Sequence, residues 1–296
     1  MSRQQIHSPR GWPSLFTRRL VLAVMILGFG LVPAGLRSGA SESPREVRII
    51  AHRGASWDAP ENTIAAFKLG WEQGADAVEL DVFLTADGHI VAIHDRDTER
   101  ITGTSLVVAE SSLEQLRQLD AGAWKDEQWA GERIPTLPEV FAIVAPGGHL
   151  LVELKTGPEI VAPLVEVFEA SGLEAGQLTV IAFNHDTITE AKRQLPEVTC
   201  HWLVSSRAQP GTDEPAPVGW MIERALEAGS DGLNIHHGFP IDRGFVRQVH
   251  EAGLALYVWT VNDLPTARAL VEAGVDGITT DRPAFLREGL GLAEKE

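Results

Sequence analysis

The chain has 296 residues, 44% of them hydrophobic, a formal charge of -16 and one cysteine. That length and apolar content support one large core, while the acidic balance, with no basic stripe, disfavours partners such as nucleic-acid backbones. Cys200, alone inside an apolar strand-like run, excludes a disulfide framework and a cysteine zinc site.

The N-terminal stretch does not read as part of the fold. Residues 1–40 hold five arginines and no acid, so the rest of the chain carries -21. Arg18-Arg19 precede the apolar run LVLAVMILGFGLVPAGL, and the small residues SGA offer a cleavage site near Ala40. This is the layout of a secretory signal peptide, loosely twin-arginine in form, with an uncleaved anchor as the alternative. At about 17 residues the run is short for a stable span. The expectation is export to the periplasm or the exterior, with a mature chain from about residue 41 that does not insert stably in a membrane.

From residue 47 a theme recurs: a helical segment, a glycine, then a short apolar strand. WEQGADAVELDV, LEAGSDGLNI, HEAGLALYVWTV and VEAGVDGITTD are four copies. Glycine closes a helix C-terminus without steric cost, and the β-rich run after it suits a parallel sheet buried on both faces. The strands so read are VRIIAH, AVELDV, HLLVEL, QLTVIAF, TCHWLV, DGLNIH, LALYVWTV and DGITTD. Helices are expected over 61–73, 136–145, 158–171, 185–195, 218–228, 242–252, 264–273 and 283–291. Eight alternating pairs over residues 47–291 predict a TIM (β/α)8 barrel. The competing doubly wound open sheet would need a Gly-rich phosphate turn that is absent.

One piece breaks the alternation. FLTADGHIVAIHD reads as a β-hairpin around Ala86-Asp87-Gly88, so residues 82–135 form a small insertion between strand two and helix two. Active sites of such barrels lie at the C-terminal ends of the strands, which puts the insertion over the working face. Trp124 and Trp129 are expected to form its core.

Strand residues two apart share a face. Glu79 and Asp81 therefore point into the barrel mouth while Val78, Leu80 and Val82 pack outward, and Glu153 and Lys155 repeat the pattern on strand three. Three converging carboxylates suit a hard divalent cation, Mg²⁺ or Ca²⁺; the competing reading is an ion-pair network with Lys155. His52 ends strand one, and counting back from the hairpin turn places His94 opposite Leu80, beside the acids. Two imidazoles there suit general acid–base catalysis, and Arg53 and Lys155 would hold an oxyanion such as a phosphate. Glu61-Asn62-Thr63 is expected to cap the first helix. Trp259 and Phe183, at strand ends, are candidates for an apolar substrate wall, and His236-His237 stand at the same level.

These residues, in this order, resemble the glycerophosphodiester phosphodiesterase family. The matching motifs are HRGASWDAPENT, VELDVFLTADGHIVAIHD, LDAGAWKDEQWAGERIPTLPEV, VELK, VWTVND and GVDGITTDRP, spread over roughly residues 47–288. The resemblance implies a TIM barrel with a small insertion, His52 and His94 as the catalytic pair, Glu79, Asp81 and Glu153 as divalent-metal ligands, and Arg53 and Lys155 as phosphate contacts. It implies hydrolysis of a glycerophosphodiester to glycerol phosphate and an alcohol, through a cyclic glycerol phosphate later opened by water. One departure is Ala182, which stands where the family often has serine and is expected to alter packing beneath the site. The alternatives are a related barrel acting on intact lipids, as a lysophospholipase D or phospholipase C, and an exported protein that binds polyol phosphates without cleaving them.

Overall fold

The computed structural model describes residues 47–205 and 216–293; residues 1–40, on which the export signal falls, lie outside them. The described elements are β1 Arg48–Ala51, α1 Ile64–Glu72, β2 Ala77–Leu84, β3 Ile90–Ala92, α2 Glu99–Thr102, α3 Leu113–Leu116, α4 Leu137–Phe141 and β4 Leu150–Leu154. There follow α5 Val161–Ser171, β5 Leu178–Ala182, α6 His185–Gln194, β6 Thr199–Val204, α7 Val218–Glu227, β7 Gly232–His236, α8 Arg243–Glu251, β8 Ala255–Trp259, α9 Leu264–Ala273, β9 Gly277–Thr280 and α10 Pro283–Leu290. Eight of the strands are parallel and close on themselves, because β1 pairs with both β2 and β9. The expected TIM barrel is the observed architecture, and the open sheet is excluded by that closure.

Glycine ends the helices as the repeat requires. Gly74, Gly229, Gly253 and Gly274 all have positive φ, the left-handed conformation in which a side chain would be strained. The strand residues that follow bury outward-facing Val78, Leu80, Val152, Leu154, Val180 and Ile278 against the helices.

The register dictates what fills the barrel. Stepping one residue per strand around the sheet returns to the starting position after eight strands, the stagger of a TIM barrel. Each inner layer then takes four side chains from alternate strands. The lowest comprises Ala77, Thr179, Gly232 and Gly277, and above it lie Ile50, Leu151, His201 and Tyr257. Small and large alternate for a reason: a Cβ on Gly232 would stand 2.7 Å from the His201 ring, and one on Gly277 would stand 2.9 Å from Tyr257. Next come Glu79, Ile181, Asn234 and Thr279, then His52, Glu153, Leu203 and Trp259. A final layer of Asp81, Phe183, His236 and Asp281 stands at the C-terminal ends of the strands. Aliphatic packing thus gives way to chemistry from one end of the barrel to the other.

The insertion grows directly from the barrel. β2 continues to Leu84 and pairs antiparallel with β3, Val82 opposite Ala92 and Leu84 opposite Ile90, and Ile93 N–H donates to Asp81 O. Its separate core is Phe83, Val91, Ile93, Ile101, Val108, Leu116, Ala121 and Ile134. The expectation for Trp124 and Trp129 is corrected here: Trp124 is 40% exposed, Trp129 is half-buried, and neither belongs to that cluster. Alternating aliphatic residues of the hairpin fill the space first.

Candidate active site

The turn after β1 sets the geometry. Arg53 has φ 55 and Asn62 φ 57, left-handed conformations that cost of order 1–3 kcal/mol in a residue with a side chain. Arg53 N–H thereby reaches Glu79 Oε2 at 2.8 Å, while Arg53 O accepts from Asn62 N–H at 3.0 Å. Gly54 must be glycine, since a Cβ there would lie 2.4 Å from the Ala66 carbonyl carbon. Of the three residues expected to cap α1, Thr63 does so, its hydroxyl accepting from Ala66 N–H. Asn62 is turned inward instead, accepting from Asp81 N–H at 3.1 Å and donating to Asp81 Oδ2 at 2.9 Å.

Glu79, Asp81 and Glu153 are buried, and each offers a carboxylate oxygen within 4.8 Å of the others. The cations among them are unevenly shared. Arg53 Nε lies 3.2 Å from Asp81 Oδ2, and Lys155 Nζ lies 3.3 Å from Asp81 Oδ1 and 2.9 Å from Glu153 Oε1. Burial works to raise the Asp81 pKa, but the charges of Arg53 and Lys155 prevail and hold it below the usual range. Glu79 has weaker cover: burial first, then Asp81 and Glu153, push it well above the ordinary value against the charge and backbone N–H of Arg53. Burial and the Asp81 charge raise Glu153 to about 7 against the pull of Lys155. A divalent cation fits this cluster. The donors are all oxygens, and Asp81 Oδ1 is buried without a hydrogen bond.

Two imidazoles face these acids, each held by a carboxylate at Nδ1. His52 Nδ1 is 2.6 Å from Asp281 Oδ1. Asp281 also accepts from Ser56 Oγ at 3.0 Å and from Asn262 Nδ2 at 2.6 Å. Burial alone would raise the Asp281 pKa, but these donors and the charge of His52 hold it at about 2. His94 Nδ1 is 2.8 Å from Asp95 Oδ1. Burial lowers the His94 pKa, Arg53 and Lys155 add to that, and Asp81 opposes it.

A second network ties the insertion to the barrel. Arg100, on α2, donates through Nε to Asp95 Oδ2 at 2.6 Å and grips both oxygens of Glu61 at 2.9 and 2.7 Å. Glu61 in turn accepts from Arg53 at 2.9 Å. The chain His94–Asp95–Arg100–Glu61–Arg53 thus connects an imidazole with a guanidinium that approaches the acids.

One cavity opens at the barrel mouth, with about 510 Å³ of space counting the solvent at its entrance. His52, Arg53, Glu79, His94, Glu153 and Lys155 form one side; Ile181, Leu203, Phe183 and Trp259 form the other, with Asn234 and Thr279 between. Trp259 is fixed by its Nε1–H donating to Asn234 O at 3.0 Å and meets Phe183 edge to face at 5.6 Å. His236 packs edge-on against Trp259 at 5.1 Å and stacks on His237, so the pair buttresses the indole and does not line the cavity. Ala182 belongs to the outer core rather than the space beneath the site, which corrects that expectation.

The structure therefore brings together all nine residues singled out for catalysis, metal, phosphate and substrate. Asp281, Asp95 and Arg100 were not recognised as partners from sequence, nor was the inward turn of Asn62. For Asp281 a signal existed, since it follows Thr279 by two and must share its inward face.

A family model described as the glycerophosphoryl diester phosphodiesterase family matches residues 52–285. A glycerophosphodiester phosphodiesterase of Caldanaerobacter subterraneus subsp. tengcongensis is 39% identical over 243 residues, covering 80% of this chain and 95% of the relative. One from Bacillus subtilis is 28% identical over 282 residues, 89% of this chain and 93% of its own. Among solved structures, a phosphodiesterase from Oleispira antarctica in complex with the product sn-glycerol-3-phosphate superposes with a TM-score of 0.74 at 32% identity. That match covers 82% of this chain and 96% of the other.

Proposed function

The chain belongs to the glycerophosphoryl diester phosphodiesterase family, and on that premise we propose that this phosphoric diester hydrolase cleaves glycerophosphodiesters by metal-dependent, histidine acid–base catalysis. The observation that carries the reading is the pair of carboxylate-held imidazoles, His52 and His94, lining one cavity with Glu79 and Glu153 of the three clustered carboxylates.

With Nδ1 of each ring bound to a carboxylate, Nε2 is the atom left for proton transfer. One imidazole takes the proton of the attacking hydroxyl, the glycerol 2-hydroxyl or a water, as its oxygen bonds to phosphorus. The other gives a proton to the departing alcohol oxygen as its bond to phosphorus breaks. Glu79, Asp81 and Glu153 would hold a divalent metal ion such as Mg²⁺ or Ca²⁺, which when bound polarises a phosphoryl oxygen and acidifies a hydroxyl. Arg53 and Lys155 are engaged by Asp81, Glu61 and Glu153. Both line the cavity, where they serve the charge that develops on the phosphoryl group. Phe183 and Trp259 form the apolar wall against which the substrate packs.

The test is turnover of glycerophosphocholine with added divalent metal. His52→Ala and His94→Ala should each lower kcat by about 10²-fold or more with the fold retained, the usual size of an acid–base contribution. Near-native activity of both variants, or full activity in a chelator, would sink the reading. Export belongs to the same proposal, and cell fractionation with N-terminal sequencing of the recovered protein tests it. Among the described residues no helix is long and apolar enough to cross a membrane.

A further inference from the structure

Among the described residues the exposed large apolar side chains are Trp57, Val107, Trp124, Phe183 and Leu226. Leu226, near the end of α7, lies toward the closed end of the barrel. The others gather at the mouth. Trp57, 55% exposed, follows β1; Val107 and Trp124 belong to the insertion that grows from β2; Phe183, 43% exposed, follows β5. A scattered apolar side chain needs no explanation, but a group of them at one end of the molecule marks a contact surface. The two tryptophans are also joined through cations. Lys125 Nζ donates to Ser56 O, next to Trp57, at 2.8 Å and stands 6.0 Å from the centre of the Trp124 ring. Arg282 lies over the Trp57 ring at 4.5 Å and the Phe285 ring at 4.1 Å. Among the described residues neither Lys125 nor Arg282 meets a carboxylate. In a chain that carries -21 outside residues 1–40, two unneutralised cations beside two exposed indoles are a local departure.

We propose that the barrel mouth docks on a zwitterionic phospholipid surface, with Trp57 and Trp124 seated among the headgroups and Lys125 and Arg282 facing the lipid phosphates. Indole rings favour the boundary between acyl chains and water. Trp124 Nε1–H already donates to Ala121 O at 2.9 Å, so what that ring exposes is carbon. Lysine and arginine stems lie along apolar surface while their charged ends reach outward. Charge selects the kind of surface. The acidic body is repelled by a membrane of anionic lipids, whereas a zwitterionic one offers phosphates to the two cations and no net negative charge to the rest. A flat stacking platform for a sugar is a poorer fit, because Arg282 covers one face of Trp57. The contact is peripheral and needs no spanning helix. It turns the cavity, whose outer wall includes the exposed Phe183, toward the surface. Glycerophosphodiesters form at such a surface when water cleaves both acyl esters of a phospholipid, so docking there would hold the enzyme at the source of its substrate.

The experiment labels the full-length protein with hydroxyl radicals, with and without phosphatidylcholine vesicles, and reads the modified residues by peptide mass spectrometry. Saturating vesicles should cut the labelling of Trp57 and Trp124 at least about threefold, as rings withdrawn from water, and leave Leu226 unchanged. The labelled positions report which face docks, so a contact made by residues 1–40 alone does not imitate the result. Trp57→Ser combined with Trp124→Ser should abolish the protection of Phe183 by vesicles. Turnover of soluble glycerophosphocholine should stay near that of the wild type, since neither ring lines the cavity. Lys125→Gln combined with Arg282→Gln should raise the lipid concentration needed for half-protection severalfold. Unchanged labelling of Trp57 and Trp124 would overturn the proposal, as would equal protection of Leu226. Equal protection by soluble glycerophosphocholine without vesicles would assign the rings to a small ligand and overturn it too. These outcomes are read on the wild type, so a variant that fails to fold leaves them standing.

Discussion

Asp281 offers the sharpest test of how the site works, because it touches no part of the cavity yet holds His52. Its carboxylate sits 2.6 Å from His52 Nδ1 and accepts from Ser56 and Asn262 as well. In Asp281→Asn the shape is nearly kept, but the negative charge facing the imidazole is gone. A hydrogen bond to a charged group is worth about 1.5–3 kcal/mol, and that support is greatest when the ring carries its proton in the transition state. Removing it should lower kcat roughly 10- to 100-fold while KM moves by no more than about threefold, since substrate contacts are unchanged. The variant should also lose stability. The folded Asp281 pKa, held at about 2, lies below its unfolded value, so this carboxylate stabilises the fold above the unfolded pKa and ceases to as pH falls through about 2. The loss at neutral pH is about 2 kcal/mol, a melting-temperature drop of roughly 5 °C. Steady-state kinetics well below the transition, with a thermal melt on the same sample, separates the two effects. Should kcat stay within about twofold of wild type while the melt drops as expected, Asp281 would be structural only, and His52 would owe its orientation to something else.

Arg100→Gln should reduce kcat about 3- to 10-fold by loosening Asp95 and Glu61 together, and Arg100→Lys should restore little, because one ammonium cannot replace a guanidinium gripping two carboxylates. A lysine variant with full activity would show that the link needs only charge. At the closed end of the barrel, burial holds His149 and His201 at about 4. Their folded pKa lies below the unfolded value near 6.5, so the unfolded state binds protons first. Stability is complete above about pH 6.5 and declines toward pH 4, by about 2 kcal/mol for each histidine at about pH 5. Denaturant titrations across that range should show a shallower slope in His149→Gln, and an unchanged slope would refute the account.

What the sequence disclosed is what depends on local rules. Parity along a strand is local, so Glu79, Asp81, Glu153 and Lys155 could be placed inward without knowing the partner strands. Register across a tight hairpin is nearly local, and His94 opposite Leu80 follows from the observed Val82–Ala92 pairing. The His52–Asp281 contact joins residues 229 apart and exists only because the barrel closes. Likewise Arg100 reaches Glu61 across 39 residues through an insertion with no repeat to give its path. The tryptophan expectation failed for a different reason. Size suggested a core, but the hairpin already presented Phe83, Val91 and Ile93 on one face, leaving Trp124 outside.

Charge explains why the two networks belong together. Glu61, Glu79, Asp81, Asp95, Glu153 and Asp281 converge on the site against three fixed cations, Arg53, Arg100 and Lys155. Each cation is shared between two carboxylates: Arg53 by Glu61 and Asp81, Arg100 by Glu61 and Asp95, Lys155 by Asp81 and Glu153. The deficit falls on Glu79, which none of these ion pairs includes, and on the deeply buried Glu153, which shares Lys155 with Asp81; those are the two acids whose pKa rises. A buried carboxyl whose charge is poorly matched holds a place for another positive charge. The deficit is thus concentrated on the side of the cavity where the proposed cation would sit. The imidazoles, each backed by its own carboxylate, remain free to carry protons without having to neutralise the cluster.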